Sequence, residues 1–447
     1  MMLLQVVTLV LAAKTVTLDE VKTASRHNLD AIRAEVELTK ANANKTIAIS
    51  GMLPRGVMQA GASYQLVGPA TSILQVQTVN DAGVREFSLS QNSIGGYNRL
   101  SLSLGVTVSQ LIFDARFWAQ LAQAGALQEA TTGELAEQRL ASEVEAVRRF
   151  YNVVFAQQAR SILEGAVERS KAQLSRALAL YAAGKGHQHD VLDARVNLGN
   201  DNITLLRWEQ FIVSTQADLA QWLTWKYEPL TAVAPAILQL KTPMVAPAME
   251  KVLELAKANR PIIKAMASRV KAAEAAISVA RSEYFPAVSV SGQYAREAPS
   301  GSLFVNPTSQ NVVAVGATLS WNFFSGLGTM GRDRSAQADL VVQEATRTQA
   351  LVNIEADIAR EYEVLKTALE IAAMAEKNKE FAEEETRLEE QRYTVGLGSN
   401  IDVRNAQVKL IQSQQAALSA RFDVEVSRAK LSRLAGVSIE EKPTSAR

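Results

Sequence analysis

The sequence predicts a mainly helical protein that carries four short β-strands and consists of two similar halves. Two windows without proline, 70–228 and 308–442, hold long runs of helical apolar spacing. Before each run, apolar and small polar residues alternate, as they do in half-exposed strands. The segment YAAGKGHQHDVLDARV from Tyr181 recurs 212 positions later as YTVGLGSNIDVRNAQV from Tyr393, with 7 identities in 16 positions. This recurrence indicates an internal repeat.

The composition excludes several classes of function. The chain has 447 residues, a net charge of +1 and no cysteine. The weak charge argues against a nucleic-acid partner, and the absence of cysteine excludes disulfides, thiolate metal sites, a cysteine nucleophile and a lipid-anchored cysteine. No P-loop, H-E-x-x-H or G-x-S-x-G motif is present, and there are only three histidines. We therefore predict no enzymatic activity and no cofactor.

The N-terminus predicts an export signal. Residues 1–13 form an apolar run that ends in Ala12 and Ala13, although a basic start is missing. A buried N-terminal strand is the alternative. No later segment approaches the roughly 20 apolar residues of a membrane helix, so a membrane-crossing role would fall to strands.

The helical windows show coiled-coil-like spacing on one face. The stretch from Phe117 to Tyr181 covers 65 residues, or ~100 Å if it is a single helix. Two helices joined near Gly133 or Gly165 are the alternative. The apolar positions of the two windows are Leu140, Val144, Val147, Tyr151 and Val154, and then Leu351, Ile354, Ile358, Tyr362, Leu365 and Leu369.

The alternating segments predict two strands in each half, at 58–64 and 100–108, then 288–294 and 313–323. The last of these includes Trp321 and Phe323. A length of about ten residues suits a tilted membrane strand, and the small, neutral polar face suits a water-filled lumen. A half-buried soluble sheet is the alternative.

Proline and the repeat divide the chain. We predict a first repeat at 14–225, a proline-rich linker at 226–249, a second repeat at 250–436 and a tail at 437–447. The loop between the two strands is about 21 residues longer in the first repeat, because the spacing of the matching anchors differs by that amount.

The repeated segment itself predicts the tip of a helical hairpin. Glycines break each long helix, and Asp190 or Asp402 then starts the next one. A carboxylate suits the N-cap or first turn, where free N–H groups and the helix dipole favour it. Capping alone would explain both residues.

This order of elements resembles the outer membrane efflux family, the TolC-like channel proteins of Gram-negative bacteria. The most specific pieces are the paired tip segments and the strand end SQLIFD at Ser109. The resemblance implies a homotrimer with a 12-stranded outer-membrane barrel in outer-membrane lipid, to which each chain contributes four strands, and a long periplasmic α-helical barrel. It also implies a passive exit duct of a tripartite efflux or type I secretion system, with a periplasmic adaptor and an inner-membrane pump or ABC transporter as partners.

The number of predicted strands leads independently to a trimeric barrel. An open sheet edge is not tolerated in lipid, and eight strands leave an interior filled by side chains. Twelve strands from three chains are the smallest multiple that leaves room for a duct. A coiled-coil scaffold without a pore is the alternative function. The cargo, whether drug, metal or polypeptide, stays open.

The resemblance also implies site residues at the tips. Asp402 matches the family's gate aspartate, Asn405 stands where a second aspartate is usual, and Gly398 replaces an arginine found in some members. We assign the pore aperture to Asp190, Asp193, Asp402, Asn405, Tyr181 and Tyr393, although the two tyrosines also suit simple packing. We assign adaptor docking to Gly184, Gly186, Val395, Gly396, Leu397, Gly398 and Ser399.

Two further motifs have simpler explanations. The run GLGTMG from Gly326 fits a dinucleotide fingerprint, but no parallel strand follows, so the glycines are predicted to bend the chain into its long helix. His187 and His189 could bind Zn²⁺ or Cu²⁺ together with Asp190. Solvated turn residues are the preferred interpretation, and we predict no metal site.

Overall fold

The computed structural model describes residues 14–79, 83, 85–235, 248–298, 309–395 and 397–437. The predicted signal segment, residues 236–247 of the linker, Gly396 and nearly all of the tail lie outside these ranges. Contacts divide the chain into two units. The first comprises 1–42, 126–271 and 341–447, and the second comprises 43–125 and 272–340. Each unit therefore draws on both halves of the sequence.

Helices make up most of the described chain, and two of them are very long. They are α1 (Leu18–Ser25), α2 (Leu29–Ser50), α3 (Ala115–Ala182), α4 (Gln188–Trp222), α5 (Met249–Asn259), α6 (Pro261–Arg281), α7 (Gly328–Thr394) and α8 (Asn400–Ala435). Helix α3 runs for 68 residues without a break. The alternative of two helices joined near Gly133 or Gly165 is therefore wrong.

The strands of the two halves meet in one antiparallel sheet. Its order is β2 (Arg55–Val67), β5 (Tyr97–Phe113), β7 (Ala287–Ala298) and β8 (Gln310–Ser320). Two short strands, β1 (Lys14–Val16) and β6 (Leu230–Ala232), pair in parallel elsewhere. Strand β8 ends at Ser320, so the prediction that it extends through Trp321 and Phe323 is wrong. The Trp321 indole instead donates a hydrogen bond to the Tyr284 carbonyl at 3.1 Å.

The register of this sheet confirms the predicted faces. Met58 pairs with Val106, Val106 with Tyr294, and Tyr294 with Val313, so the apolar sets of all four strands share one face. Thr107 pairs with Val57 and Gln293 and lies on the opposite face, which is mainly small and polar. We call these two surfaces the apolar face and the polar face.

The longer loop of the first half holds an additional hairpin that the sequence analysis missed. Strands β3 (Ala70–Val79) and β4 (Arg85–Ile94) pair with each other as a separate two-stranded sheet. Among the described residues, four strands thus form the main sheet, as predicted, and two more form this hairpin.

The predicted helical seams are buried or half-buried. On α3, Phe150 and Tyr151 pack with Leu219 of α4 and Phe422 of α8 in one core cluster. On α7, Ile358 and other residues pack with α5 and α8 in a second cluster. The heptad-like spacing therefore marks real packing surfaces. In addition, none of the described helices is long and apolar enough to cross a membrane.

A bend precedes α7, as the glycine-rich run predicts. Gly326 has φ +61° and Leu327 has φ +69°, a left-handed conformation that favours glycine at the first position. The Ser325 hydroxyl then accepts the Thr329 N–H at 3.1 Å and caps the first turn.

Gly133 lies where α3 closely approaches α6. A Cβ at this position would meet the Ala265 Cβ at 2.9 Å and the Pro261 carbonyl oxygen at 3.0 Å. We expect Gly133→Ala to lower the free energy of unfolding by about 1–3 kcal/mol, as overpacking does. Gly125→Ala, on the same helix with open space around it, should raise stability by up to about 1 kcal/mol through helix propensity. Thermal unfolding followed by circular dichroism separates the two; equal shifts would contradict the close packing.

Candidate functional site

The first candidate tip joins α3 to α4. Gly184 has φ +70°, and the Lys185 N–H donates to the Leu180 carbonyl at 2.9 Å, which closes the end of α3. The chain re-enters a helix after His187, whose N–H donates to Asp190 Oδ2 at 3.2 Å. Asp190 thus lies in the first turn of α4, which confirms the predicted capping position.

The second tip joins α7 to α8 with the same hydrogen bonds. The Leu397 N–H donates to the Arg392 carbonyl at 2.8 Å. Ser399 then forms a full capping box with Asp402: the Asp402 N–H donates to Ser399 Oγ at 3.2 Å and the Ser399 N–H donates to Asp402 Oδ2 at 3.1 Å. The repeated aspartates therefore hold equivalent places at the starts of α4 and α8.

The second glycine of each tip lies where there is little room for a side chain. A Cβ on Gly186 would lie 3.2 Å from the Tyr181 nitrogen, and a Cβ on Gly398 would lie 3.1 Å from the Tyr393 nitrogen. The turning chain thus passes close to the helix end that it has just left. This contact with backbone atoms explains the glycine at the same place in both tips.

Asp402 is held in its charged form. Hydrogen bonds from the Ser399 hydroxyl and backbone lower the pKa of the Asp402 carboxyl, and Arg392 lowers it further. A lowered pKa keeps this carboxylate ionised at pH values low enough that an ordinary aspartate has already taken up a proton. Asp402 therefore supplies a fixed negative charge at an exposed position.

Tyr393 links the two tips electrostatically. Burial is the main reason why its pKa is raised, and the nearby Asp190 carboxylate raises it further, while Arg176 acts in the opposite direction. Asp190 belongs to the first tip and Tyr393 to the second. The two tips are therefore close enough for the Asp190 charge to act on Tyr393.

The structure places the other predicted residues as follows. Val395 and Leu397 are exposed, with 69% and 74% of their surface accessible, as are Gly184 and Ser399. Asp402, Asn405 and Tyr181 are exposed, whereas Asp190 and Asp193 are half-buried. His189 Nε2 lies 3.3 Å from Asp193 Oδ2. Gly396 lies outside the described residues.

One cluster was missed by sequence reasoning. The Arg404 guanidinium donates to both carboxylate oxygens of Asp201, at 2.7 and 2.8 Å, and the Ser170 hydroxyl donates to the same carboxylate. Asp201 is buried, and the three residues belong to α4, α8 and α3. Gln173 adds a hydrogen bond to Asn400 nearby. We call the Asp201, Arg404 and Ser170 set the inter-hairpin bridge, because it joins the two helical hairpins.

Arg404 lies within the repeated segment, but nothing in its spacing indicates the partner. Asp201 and Arg404 are 203 positions apart in the chain. Chemically, the tips combine exposed apolar side chains, fixed carboxylates and a partly buried ion pair. Such an arrangement can bind a partner, attract cations and hold two hairpins together.

Comparison with known proteins gives the family. The model of the family described as outer membrane efflux protein matches residues 23–224 and 252–437. Protein CyaE of Bordetella pertussis (strain Tohama I) is 27% identical over 190 residues, which is 42% of this chain and 40% of that protein. The chain thus aligns with less than half the length of this curated relative.

Solved outer-membrane channels share the fold. The Campylobacter jejuni CmeC outer membrane channel has a TM-score of 0.73 at 16% identity, over 95% of this chain and 86% of the channel. The Neisseria gonorrhoeae MtrE channel in its open state has a TM-score of 0.73 at 18% identity, over 95% and 89%. The outer-membrane channel OprN has a TM-score of 0.68 at 21% identity, over 94% of this chain and 89% of OprN. With the family model matched on both halves, the chain belongs to the outer membrane efflux protein family.

Proposed function

We propose that three copies of this chain form the exit duct of a tripartite efflux or type I secretion system. The four-stranded sheets cross the outer membrane and the long helices extend into the periplasm. The observation that carries this proposal is the open sheet of four strands, with an apolar face and a polar face, on a chain of this family.

The sheet supports closure with other copies. Strands β2 and β8 are its two edges, and all residues of β8 are exposed. An open edge leaves N–H and C=O groups without partners, which lipid does not tolerate. Pairing β2 of one copy with β8 of the next removes both edges. Three copies then give a 12-stranded barrel with its polar face towards the lumen.

Exposed seams on the helices support the same assembly. On α4, Leu192, Val196, Ile203, Leu206 and Val213 are exposed and follow heptad spacing. Helix α7 has a second exposed apolar seam with heptad spacing, formed by Val364, Ile371, Met374, Phe381 and Leu388. Such seams are normally covered by another helix. A neighbouring copy would supply that helix in a periplasmic helical barrel.

The tips support adaptor docking and gating. Exposed Val395 and Leu397 beside tight turns suit an apolar partner, and we propose a periplasmic adaptor there. Asp402, Asn405, Asp190 and Asp193 are proposed to surround the periplasmic aperture. The inter-hairpin bridge would hold the aperture narrow, because widening it requires the two hairpins to separate.

The matched family and solved structures are channels, and we propose that this chain likewise has no enzymatic activity. Transport is then driven by an inner-membrane pump or ABC transporter. The scaffold alternative predicts a protein that salt extracts from membranes. Outer-membrane fractionation with heat-modifiable electrophoretic migration supports the duct, and a salt-extractable protein without a pore refutes it.

Asp402 tests the proposed aperture. We expect Asp402→Asn to weaken block of single-channel current by a trivalent cation about tenfold, because a ring of carboxylates concentrates multivalent cations. Since hydrogen bonding lowers the pKa of Asp402, wild-type block should persist until the pH falls below the ordinary aspartate range and then disappear.

Position 405 offers a control in which the negative charge at the proposed aperture is increased. Asn405→Asp adds a carboxylate about one helical turn further along α8 and should strengthen the same block. Unchanged block in both variants would exclude Asp402 from the aperture. The Asn side chain at position 402 keeps an oxygen acceptor for the cap, so folding is preserved.

A further inference from the structure

A cavity of about 430 Å³ lies between the first helical hairpin (α3 and α4) and the second (α7 and α8). On one side of it, Tyr151 of α3 contacts Phe422 of α8, with ring centroids 5.6 Å apart. On the other side, Ser170 of α3 and Arg404 of α8 belong to the inter-hairpin bridge. The lining residues come from three ranges within the first unit: 158–169 of α3, 376–379 of α7 and 414–421 of α8.

The lining of this cavity carries an excess of positive charge. Arg169, Lys379 and Arg421 each bring a positive charge, and Glu376 is the one carboxylate among the described lining residues. Glu376 is shared, because its Oε1 lies 3.1 Å from Lys379 Nζ and its Oε2 lies 2.8 Å from Arg421 Nη2. Three positive charges against one negative charge leave two that an anion could balance.

Arg169 is the cation of this lining that lacks an acceptor. Its Nε and Nη2 are buried and form no hydrogen bond with the described residues. Buried donors without an acceptor are rare, because they have lost water and gained nothing in return. The side chain lies back over Gly165, where a Cβ would be 3.5 Å from Arg169 Nη1. Gly165 also lines the cavity, so a rotation of the guanidinium into the cavity is short and breaks no hydrogen bond.

Neutral polar side chains complete the lining. Gln158, Ser161 and Gln414 contribute two amides and a hydroxyl, all of which can donate hydrogen bonds. The planar fork of a guanidinium matches two oxygens of a phosphate or a carboxylate, and an ammonium adds a point charge. This set of donors favours an oxyanion and disfavours a cation or an apolar molecule.

We infer that the cavity binds a small oxyanion with two negative charges, either a phosphate or a dicarboxylate. Arg169 would hold it from α3, while Lys379 of α7 and Arg421 of α8 would hold it from the second hairpin. A bound oxyanion would therefore tie the two hairpins together next to the inter-hairpin bridge. This consequence rests on the proposed aperture, because a ligand that ties the hairpins favours the closed state. Binding itself does not depend on the proposed duct.

Isothermal titration calorimetry of the full-length protein in detergent tests the binding. Inorganic phosphate, at a pH at which it is a dianion, and succinate are titrated separately, with sodium chloride of equal ionic strength as the reference. At least one of the two should bind, and comparison of their Kd values distinguishes a phosphate site from a dicarboxylate site. Arg169→Gln should weaken that binding about tenfold or more, because a charge-assisted pair of hydrogen bonds is lost.

Lys171→Gln is the matched control. It also removes one positive charge from α3, but Lys171 Nζ pairs with Glu168 at 2.7 Å and does not line the cavity. Its Kd should equal that of the wild type. Failure of both oxyanions to bind more tightly than chloride would overturn the site, and so would equal binding by wild type and Arg169→Gln. Neither result would touch the proposed duct.

Single-channel recording tests the consequence for the aperture. At about ten times its Kd, an oxyanion that binds only the closed state lowers the ratio of open to closed channels about tenfold. The wild type should show this decrease, and Arg169→Gln should not. Binding by calorimetry without any change in opening would overturn the link to the aperture, while the oxyanion site and the duct would both stand.

Discussion

Replacing Glu137 by Gln is expected to lower the free energy of unfolding by about 3 kcal/mol or more, because it leaves two guanidinium groups without their counter-charge. Arg260 Nη2 and Arg433 Nη2 donate to Glu137 Oε1 at 3.2 and 3.0 Å. The side chains of Glu137 and Arg260 are only 10% and 8% exposed. This cluster joins α3, the junction of α5 and α6, and α8.

The size of the effect follows from burial. A buried ion pair contributes little net stability, but removal of one partner leaves an uncompensated charge in a poorly solvated place. Here a single carboxylate serves two arginines, and Nη1 of Arg260 is already buried without a hydrogen-bond partner among the described residues. The neutral amide of glutamine cannot replace the lost charge.

Glu134→Gln is the matched control. Glu134 lies one helical turn earlier on α3 and pairs with Arg269 at 2.6 Å, but these side chains are 31% and 44% exposed, several times more than those of Glu137 and Arg260. An exposed pair contributes about 0–1 kcal/mol. Denaturant unfolding in detergent should therefore show a large shift for Glu137→Gln and a small one for Glu134→Gln. Equal shifts would contradict the importance of burial.

Loss of the inter-hairpin bridge is expected to open the aperture. Asp201→Asn removes the charge that the Arg404 guanidinium contacts with two nitrogens. Hydrogen bonds to charged groups contribute about 1.5–3 kcal/mol. If half of that free energy favours the closed state, the ratio of open to closed channels rises about 3- to 13-fold. Single-channel recording measures this ratio directly.

Two comparisons make this prediction specific. Arg404→Gln should have the same effect as Asp201→Asn, and the double variant should add little, as expected for one shared interaction. Glu385→Gln breaks the exposed contact with Lys409, which joins α7 and α8 within one hairpin. It should leave opening unchanged. Additive effects of the two bridge substitutions would show that they act separately.

Sequence periodicity predicted the elements whose residues face a single environment. The alternation of Leu100, Leu102 and Leu104 reflects one apolar face, and the register confirms it. The spacing of Ile354, Ile358 and Leu365 reflects one buried seam, and all three are buried. The tip aspartates were predictable because capping is local and joins residues that are only three positions apart.

Long-range pairs and the hairpin were not predictable in the same way. Glu137 and Arg433 are 296 positions apart, and no local pattern specifies such a partner. Strand β3 carries adjacent apolar residues, Ile73 and Leu74, which interrupt the alternation. Both of its faces are exposed within the chain, so no single buried face imposes a clear period. The extra length of the first loop was the only signal.

The end of β8 shows how a continuing alternation misleads. Trp321 and Phe323 extend the apolar period beyond Ser320, but Ser320 already pairs with Ala287, the first residue of the partner strand β7. The indole N–H of Trp321 donates to the Tyr284 carbonyl beyond the end of this ladder. The two aromatic rings contact each other edge to face, with centroids 6.4 Å apart. The strand therefore ends where its partner begins, one residue after Pro286, which has no N–H to donate, although the sequence pattern continues.

Electron cryomicroscopy of the full-length protein, extracted in detergent from outer membranes, tests most directly whether several copies seal the sheet into a duct. The expected map has threefold symmetry, with β2 of each copy hydrogen-bonded to β8 of the next around a water-filled lumen. A monomer whose β2 and β8 edges stay apart, or are covered by its own chain, would contradict the proposed duct.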